Sequence, residues 1–283
     1  MFDIRDISQS IDTEIVRKIF GNKPNAYSFL QKLGYPKSLI KDPYSEIVKI
    51  WDYKNHKLVI RAIFETLPKY KNGLDGKHAV DLLLKEWGNL DFGAVSWPFS
   101  QGAFDDFVQR INAETQSNRL EKDEKVKIAA VKYRRIKEIN TVRNDFLETL
   151  LFKKYDNIIP TLSHRKGVDF FIDGISYDQK VSKSPTNEFK KDFGIEWKQK
   201  AIENPLKVAE YLYRYQDEGR FGASPRLFFV FLDEDLSPLE LEKIIDKVDL
   251  GKPSKITFEY KHQSTGLKTY QTFCYIILLA KEL

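Results

Sequence analysis

Gly167-Val168-Asp169-Phe170-Phe171-Ile172-Asp173-Gly174-Ile175-Ser176-Tyr177-Asp178-Gln179-Lys180-Val181 is the stretch from which the fold and the chemistry of this 283-residue chain are read. Two runs rich in β-branched and aromatic residues flank Asp173-Gly174. That dipeptide suits a two-residue type I′ hairpin turn, in which both central positions need positive φ. With the turn there, Ile172 faces Ile175, Phe170 faces Tyr177 and Asp169 faces Asp178. Val168, Phe170, Ile172, Ile175, Tyr177 and Val181 then share one face and make a core. Asp169, Phe171, Ser176, Asp178 and Lys180 share the other. Asp169 and Asp178 form a non-hydrogen-bonded pair, whose Cβ atoms stand roughly 4.5–5.5 Å apart. Carboxylates so placed repel each other, and a divalent cation removes the conflict. Mg²⁺ takes one or two carboxylates together with waters and phosphate oxygens. Lys180, two residues further on the same face, brings an ammonium to the site.

Upstream of the hairpin, Ile158-Ile159 starts a strand. Before it, residues 119–155 read as a long helical stretch broken near Asn140-Thr141, with Thr141 as a fresh N-cap. Phe146, Leu150 and Leu151 make its apolar face, which leaves Glu148 at the edge of that face or beyond it. Downstream, helical patterns fill 188–218, and Asn204-Pro205 marks a new start. Leu227-Phe228-Phe229-Val230-Phe231-Leu232 reads as a strand buried on both faces. Ser237-Pro238-Leu239-Glu240 is a capping box with proline at the first helical position. Ile256, Phe258 and Tyr260 alternate as a strand. A turn at Ser264-Thr265-Gly266 leads to a last strand over 269–279. This half is α/β, a mixed β-sheet flanked by helices.

The first half reads as helices alone. Ser10 caps one that runs to Gly21, Pro24 sits in the first turn of a second, and Pro43 opens a third. Others are expected at 56–67, 76–87 and 101–113, with a Gly/aromatic loop from Asn89 to Gly102. Two regions follow: an all-helical N-terminal region over 1–118 and an α/β region over 119–283.

Composition narrows the function classes. The chain is 42% hydrophobic and 31% charged, which excludes a disordered polypeptide. No run of about eighteen uncharged apolar residues is present, so no membrane helix is expected. The start, Met1-Phe2-Asp3-Ile4-Arg5-Asp6, lacks the basic and apolar regions of a secretion signal. A single cysteine, Cys274, excludes an internal disulfide and a cysteine-based zinc site. The expectation is a reduced, cytoplasmic protein. Net charge is +5, and all of it falls in residues 1–140, since 141–283 balance. Residues 117–143 alone carry nine bases and four acids, a stripe compatible with a phosphate backbone.

Asp169, eight residues, then Asp178-Gln179-Lys180, set between a helix and a later buried strand, resembles the PD-(D/E)xK nuclease superfamily. The resemblance covers about residues 141–232. Val168 stands where the motif has proline, and the second acid is Asp rather than the commoner Glu. The resemblance implies a restriction-endonuclease-like core with Asp169, Asp178 and the Gln179 backbone carbonyl as Mg²⁺ ligands. It makes Lys180 the catalytic lysine and Glu148 the helix acid. It also implies hydrolysis of a nucleic-acid phosphodiester that leaves a 5′-phosphate. Size and the lack of a P-loop or zinc ribbon make the chain most similar to a stand-alone type II restriction endonuclease. Such an enzyme is a homodimer on double-stranded DNA, with a cognate methyltransferase in the cell. His164, Arg165, Lys166, Lys183, Arg134 and Arg135 are the residues expected on nucleic acid. Two alternatives remain open. One is a defence effector nuclease whose helices, about 10–67, recruit a partner. The other is a catalytically silent nucleic-acid-binding protein of the same fold.

Overall fold

The computed structural model describes residues 11–89, 101–162, 167–216, 221–233 and 235–281. The helices of the first half form as their start signals dictate. They are α1 (Thr13–Phe20), α2 (Lys23–Lys32), α3 (Pro43–Ile50), α4 (Tyr53–Phe64), α5 (Pro68–Asn89) and α6 (Gln101–Ala113). Asp12, Asn22 and Asp42 cap the first three by accepting the N–H of the third residue on. Asp12 therefore takes the role expected of Ser10, which lies outside the described residues. Prolines sit in the first turn of α2 and α3, where no intrahelical N–H is lost. Most of the expected Asn89–Gly102 loop also lies outside the described residues.

α7 (Arg119–Lys154) is one unbroken helix. The expected break at Asn140-Thr141 does not occur. Mid-helix Asn and Thr each cost well under about 1 kcal/mol, and Arg143 Nη2 donates to Asn140 Oδ1 one turn back at 2.9 Å. The expectation for Glu148 is also corrected. Phe146, Leu147, Glu148 and Thr149 are all buried, Glu148 to 6% exposure. A helix enclosed on every side has no exposed edge on which to leave an acid.

The sheet consists of β1 (Ile158–Pro160), β2 (Phe170–Ile172), β3 (Ile175–Ser182), β4 (Arg226–Phe231), β5 (Ser254–His262) and β6 (Gly266–Leu279). Their order is β1-β2-β3-β4-β6-β5. β1, β2 and β3 pair antiparallel, β3–β4 and β4–β6 parallel, and β6–β5 antiparallel. Parallel neighbours need crossovers. α8 (Asn187–Phe193), α9 (Trp197–Glu203) and α10 (Pro205–Arg214) supply the first, and α11 (Pro238–Lys247) begins the second. Ser237 and Glu240 make the reciprocal capping box. β4 is buried at every residue, as its continuous apolar run requires.

The chain divides into two compact units, one running up to Lys71 and resuming at Leu150, the other over Asn72–Thr149. They do not follow the expected boundary at 118/119. The reason lies in the first unit's core. Val16, Phe20, Phe29, Leu30, Ile60 and Phe64 from the N-terminal helices cluster with Phe152, Ile159, Leu162, Val168 and Phe171 from the end of α7 and the start of the sheet. Arg61 fastens the same joint. Its guanidinium donates to the carbonyls of Phe152, Tyr155 and Ile158 and lies over the Phe152 ring, 3.9 Å from its centre. A second cluster packs Phe189, Val208, Ala209 and Tyr213 onto Phe228, Val230, Phe258 and Cys274. Among the described residues, no helix is long and apolar enough to cross a membrane.

Candidate active site

The hairpin turn forms as its dipeptide predicts, with φ of 50° at Asp173 and 83° at Gly174. Glycine takes positive φ without cost, and aspartate tolerates it. The register also holds next to the turn, with Ile172 opposite Ile175 and Phe170 opposite Tyr177. One step further the ladder breaks. Asp169 N–H donates to the Tyr177 carbonyl at 2.9 Å, so Asp169 and Phe170 both stand opposite Tyr177. This is a β-bulge, one extra residue on β2's side. It corrects the expectation that Asp169 and Asp178 are direct cross-strand partners. It also explains why Val168, placed on Phe170's face by strict alternation, instead joins the cluster that holds Phe171.

The bulge frees Gln179 N–H, whose ladder partner would have been the Val168 carbonyl. Asp169 Oδ2 takes that donor at 2.6 Å. On its other side, the Asp169 carbonyl accepts from Thr161 N–H and Oγ1 at 3.0 and 2.9 Å. Asp169 is thus held through its amide, its carbonyl and its carboxylate. Burial pushes its carboxyl up from the ordinary carboxylate range. The Gln179 N–H and the charges of Lys69 and Lys180 oppose that rise, while the charge of Asp178 adds to it.

Asp178 is the better supported acid. It lies on β3 directly beside Arg226 on β4, and parallel partners point to the same face. Its carboxylate is 7% exposed as a residue, with Oδ2 2.8 Å from Lys180 Nζ and 3.6 Å from Arg226 Nε. Lys180 side chain is about half exposed, at 49%, whereas Arg226 side chain is at 7%. Asp178 and Lys180 sit on a strand whose flanks are covered by different helices. Phe171, on the β2 side, belongs to the cluster with the N-terminal helices, and Phe228, on the β4 side, to the cluster with α8–α10. Asp178 and Lys180 lie on the strand between those two packed patches.

No protein-family model, curated protein or solved structure matches the chain. The site therefore rests on its own geometry. The hairpin joins Asp169 to the Gln179 N–H and Asp178 to Lys180. Glu148, Arg134 and Arg135 belong to the second unit. There Arg134 Nη1 lies 3.2 Å from Glu138 Oε2, and Arg135 Nη1 lies 3.0 Å from Glu86 and 3.4 Å from Glu138. Lys183 stands half-buried just past β3. His164, Arg165 and Lys166 lie outside the described residues. Sequence reading missed Arg226, Lys69 and Thr161. Arg226 had a signal, since a cation opening a wholly apolar strand must find an acid. Lys69, on the first turn of a helix a hundred residues away in sequence, had none.

The donors here are carboxylate oxygens, the type a hard cation takes. Among the described residues, no group of three or more His, Cys, Asp or Glu side chains forms a metal cage. Two carboxylates are present, each with its Oδ2 engaged, by Gln179 N–H or by Lys180 and Arg226. Each leaves Oδ1 without a hydrogen bond to a described residue. That fits Mg²⁺, which keeps most of its coordination as water and phosphate oxygen.

Proposed function

We propose that the chain is a Mg²⁺-dependent endonuclease that hydrolyses DNA phosphodiester bonds, a sequence-specific restriction enzyme of the PD-(D/E)xK kind. The observation that carries this reading is the end of the β2–β3 hairpin. There a bulge fixes Asp169 against the Gln179 N–H, next to the strand on which Asp178 and Lys180 meet. The order of elements, helix, antiparallel β1-β2-β3, helices, then β4 parallel to β3, supports it as well. Asp169, Asp178 and the Gln179 backbone carbonyl are the groups that would hold the cation; Glu148, the helix acid of the same reading, belongs to the second unit.

Bound there, Mg²⁺ would supply a water of lowered pKa and polarise the phosphate. The chain's residues do the rest. Asp169, fixed by its own backbone, sets where the carboxylates stand. Lys180, half exposed and paired with Asp178, would orient the attacking water and meet the charge that grows on the phosphate. In-line attack would leave a 5′-phosphate. Arg134, Arg135, Lys183 and the segment His164-Arg165-Lys166 are assigned to backbone phosphates. The pair that exposed Arg134 makes with Glu138 is worth no more than about 1 kcal/mol, so phosphate can displace it. A homodimer on cytoplasmic DNA, beside a methyltransferase that protects the host, completes the reading.

A second reading, a silent nucleic-acid-binding protein, draws on one observation: Asp178 already has two cations, Lys180 and Arg226, against it. Cleavage of unmethylated plasmid and phage DNA separates the two. With Mg²⁺ the wild type yields discrete bands, and EDTA or Lys180→Ala removes them. Salt-sensitive binding without any cutting would give the chain to the silent reading. A Mg²⁺-dependent smear would make it a non-specific effector.

A further inference from the structure

We propose that Arg226 is a positioning residue that sets the charge of the Asp169/Asp178 site, holding its affinity for a divalent cation low. The inference rests on the nuclease reading above and concerns a residue which that reading does not use.

Arg226 opens β4 beside Asp178, on the same face of the sheet. Its guanidinium is held on more than one side. Nη2 donates to Gln216 Oε1 at 2.9 Å, Cζ lies 4.9 Å from the centre of the Tyr213 ring, and Nε faces Asp178 Oδ2 at 3.6 Å. Tyr213 is itself fixed, donating its hydroxyl to the Ser224 carbonyl at 2.9 Å and stacking on Phe258. A buried guanidinium is stable only when paired, and it does not lose its proton in a protein. Arg226 is therefore a permanent positive charge at Asp178. Lys180 differs, because its half-exposed ammonium can turn to solvent or substrate while Asp178 stays in place.

The consequence is a matter of counting. Two carboxylates at the site face one fixed guanidinium, Arg226, and the ammonium charges of Lys180 and Lys69. An incoming divalent ion meets Asp178 already partly neutralised and is repelled by a guanidinium that cannot withdraw. At an effective dielectric near 20, a like charge several ångströms away weakens cation binding by roughly tenfold or more.

Mn²⁺ binding to the full chain, read by electron paramagnetic resonance with no DNA present, tests this. Arg226→Met removes the charge and keeps much of the side-chain volume. Arg226→Gln also removes it but retains a donor toward Asp178. Arg226→Lys keeps the charge. Circular dichroism and thermal unfolding report whether each variant folds. The expected result is Mn²⁺ binding about tenfold or more tighter in a folded uncharged variant, with Arg226→Lys within about threefold of the wild type. Asp178→Asn should abolish binding in either background. A folded uncharged variant that binds Mn²⁺ no better than the wild type overturns the inference and leaves the metal reading standing. Failure of both uncharged variants to fold makes Arg226 a structural counter-ion and overturns it too. No Mn²⁺ bound to any form, wild type included, overturns the inference and the Mg²⁺ assignment together.

Discussion

Asp169 shows how a site residue is held at a cost to the fold. Its peptide and carboxylate are fixed by Tyr177, Thr161 and Gln179, yet burial penalises its charge and raises its pKa. A carboxyl with a raised folded pKa favours the folded state most when protonated, and that contribution is lost as pH rises through the folded value. At neutral pH its charge is therefore a net expense. Asp169→Asn keeps an acceptor for the Gln179 N–H and removes the charge. Urea unfolding at pH 7.5 should show stability unchanged or higher by about 1 kcal/mol, while cleavage falls roughly a hundredfold or more. A variant that loses both stability and activity would mean the charge itself holds the bulge. His56 carries the opposite pH sign. Its Nδ1 accepts the Asp52 N–H at 3.0 Å at the start of α4, and its ring packs edge-on to Phe29 and Trp51. Burial lowers its pKa from the ordinary 6.5. A proton on Nδ1 would end that hydrogen bond, so its stabilisation is complete above about pH 6.5 and falls away below it. Comparing unfolding at pH 7.5 and 5.5 in the wild type and in His56→Asn should show a loss of about 1 kcal/mol that the variant lacks.

At the scale of elements, what the sequence made legible was whatever local chemistry dictates. Asp173-Gly174 sets a turn through φ, Ser237-Pro238-Leu239-Glu240 sets a helix start, and six apolar residues in a row set a central strand. Those signals are carried by the residues that do the work. The bulge at Asp169 was not legible, because alternation predicts an unbroken ladder and nothing in Gly167-Val168-Asp169 marks the residue where it fails. It depends on Thr161 fixing the Asp169 carbonyl from β1's side. The unbroken α7 was misread for a similar reason. Thr141 has the chemistry of a cap, but continuing the helix costs little there. Close approach between helices was equally hidden. In the second unit, a Cβ on Gly73 of α5 would fall on Thr149 Oγ1 and 2.7 Å from the Asp145 carbonyl of α7. Gly73→Ala should therefore destabilise by about 1–3 kcal/mol, despite alanine's better helix propensity. The thermal midpoint of the variant checks it, and a rise would mean that the two helices separate without penalty.

At the scale of the whole molecule, the candidate site is local in sequence and the core beneath it is not. The acids and the lysine lie within twelve residues of one another, so a local motif finds them. The core beside them is assembled from the N-terminal helices and the middle of the chain. Phe20, Phe29, Ile60 and Phe64 pack with Phe152, Ile159, Val168 and Phe171, and Arg61 caps the end of α7 by holding the Phe152 and Tyr155 carbonyls. Periodicity marks each of these residues as buried but does not say against what. A fragment of residues 119–283, which local motifs alone would choose as the catalytic domain, leaves the apolar side chains of Phe152, Ile159 and Phe171 without their partners. Fully burying side chains of this kind contributes roughly 1.5–3 kcal/mol each, and a domain's whole margin is only about 5–15 kcal/mol. The fragment should therefore lack a cooperative unfolding transition and bind a hydrophobic dye such as ANS, whereas the full chain unfolds in a sharp transition. A fragment that melts cooperatively without dye binding would show that the sheet and α8–α11 are sufficient alone. The helices before Lys71 would then be an appendage rather than part of the scaffold that holds Asp169 and Asp178 in place.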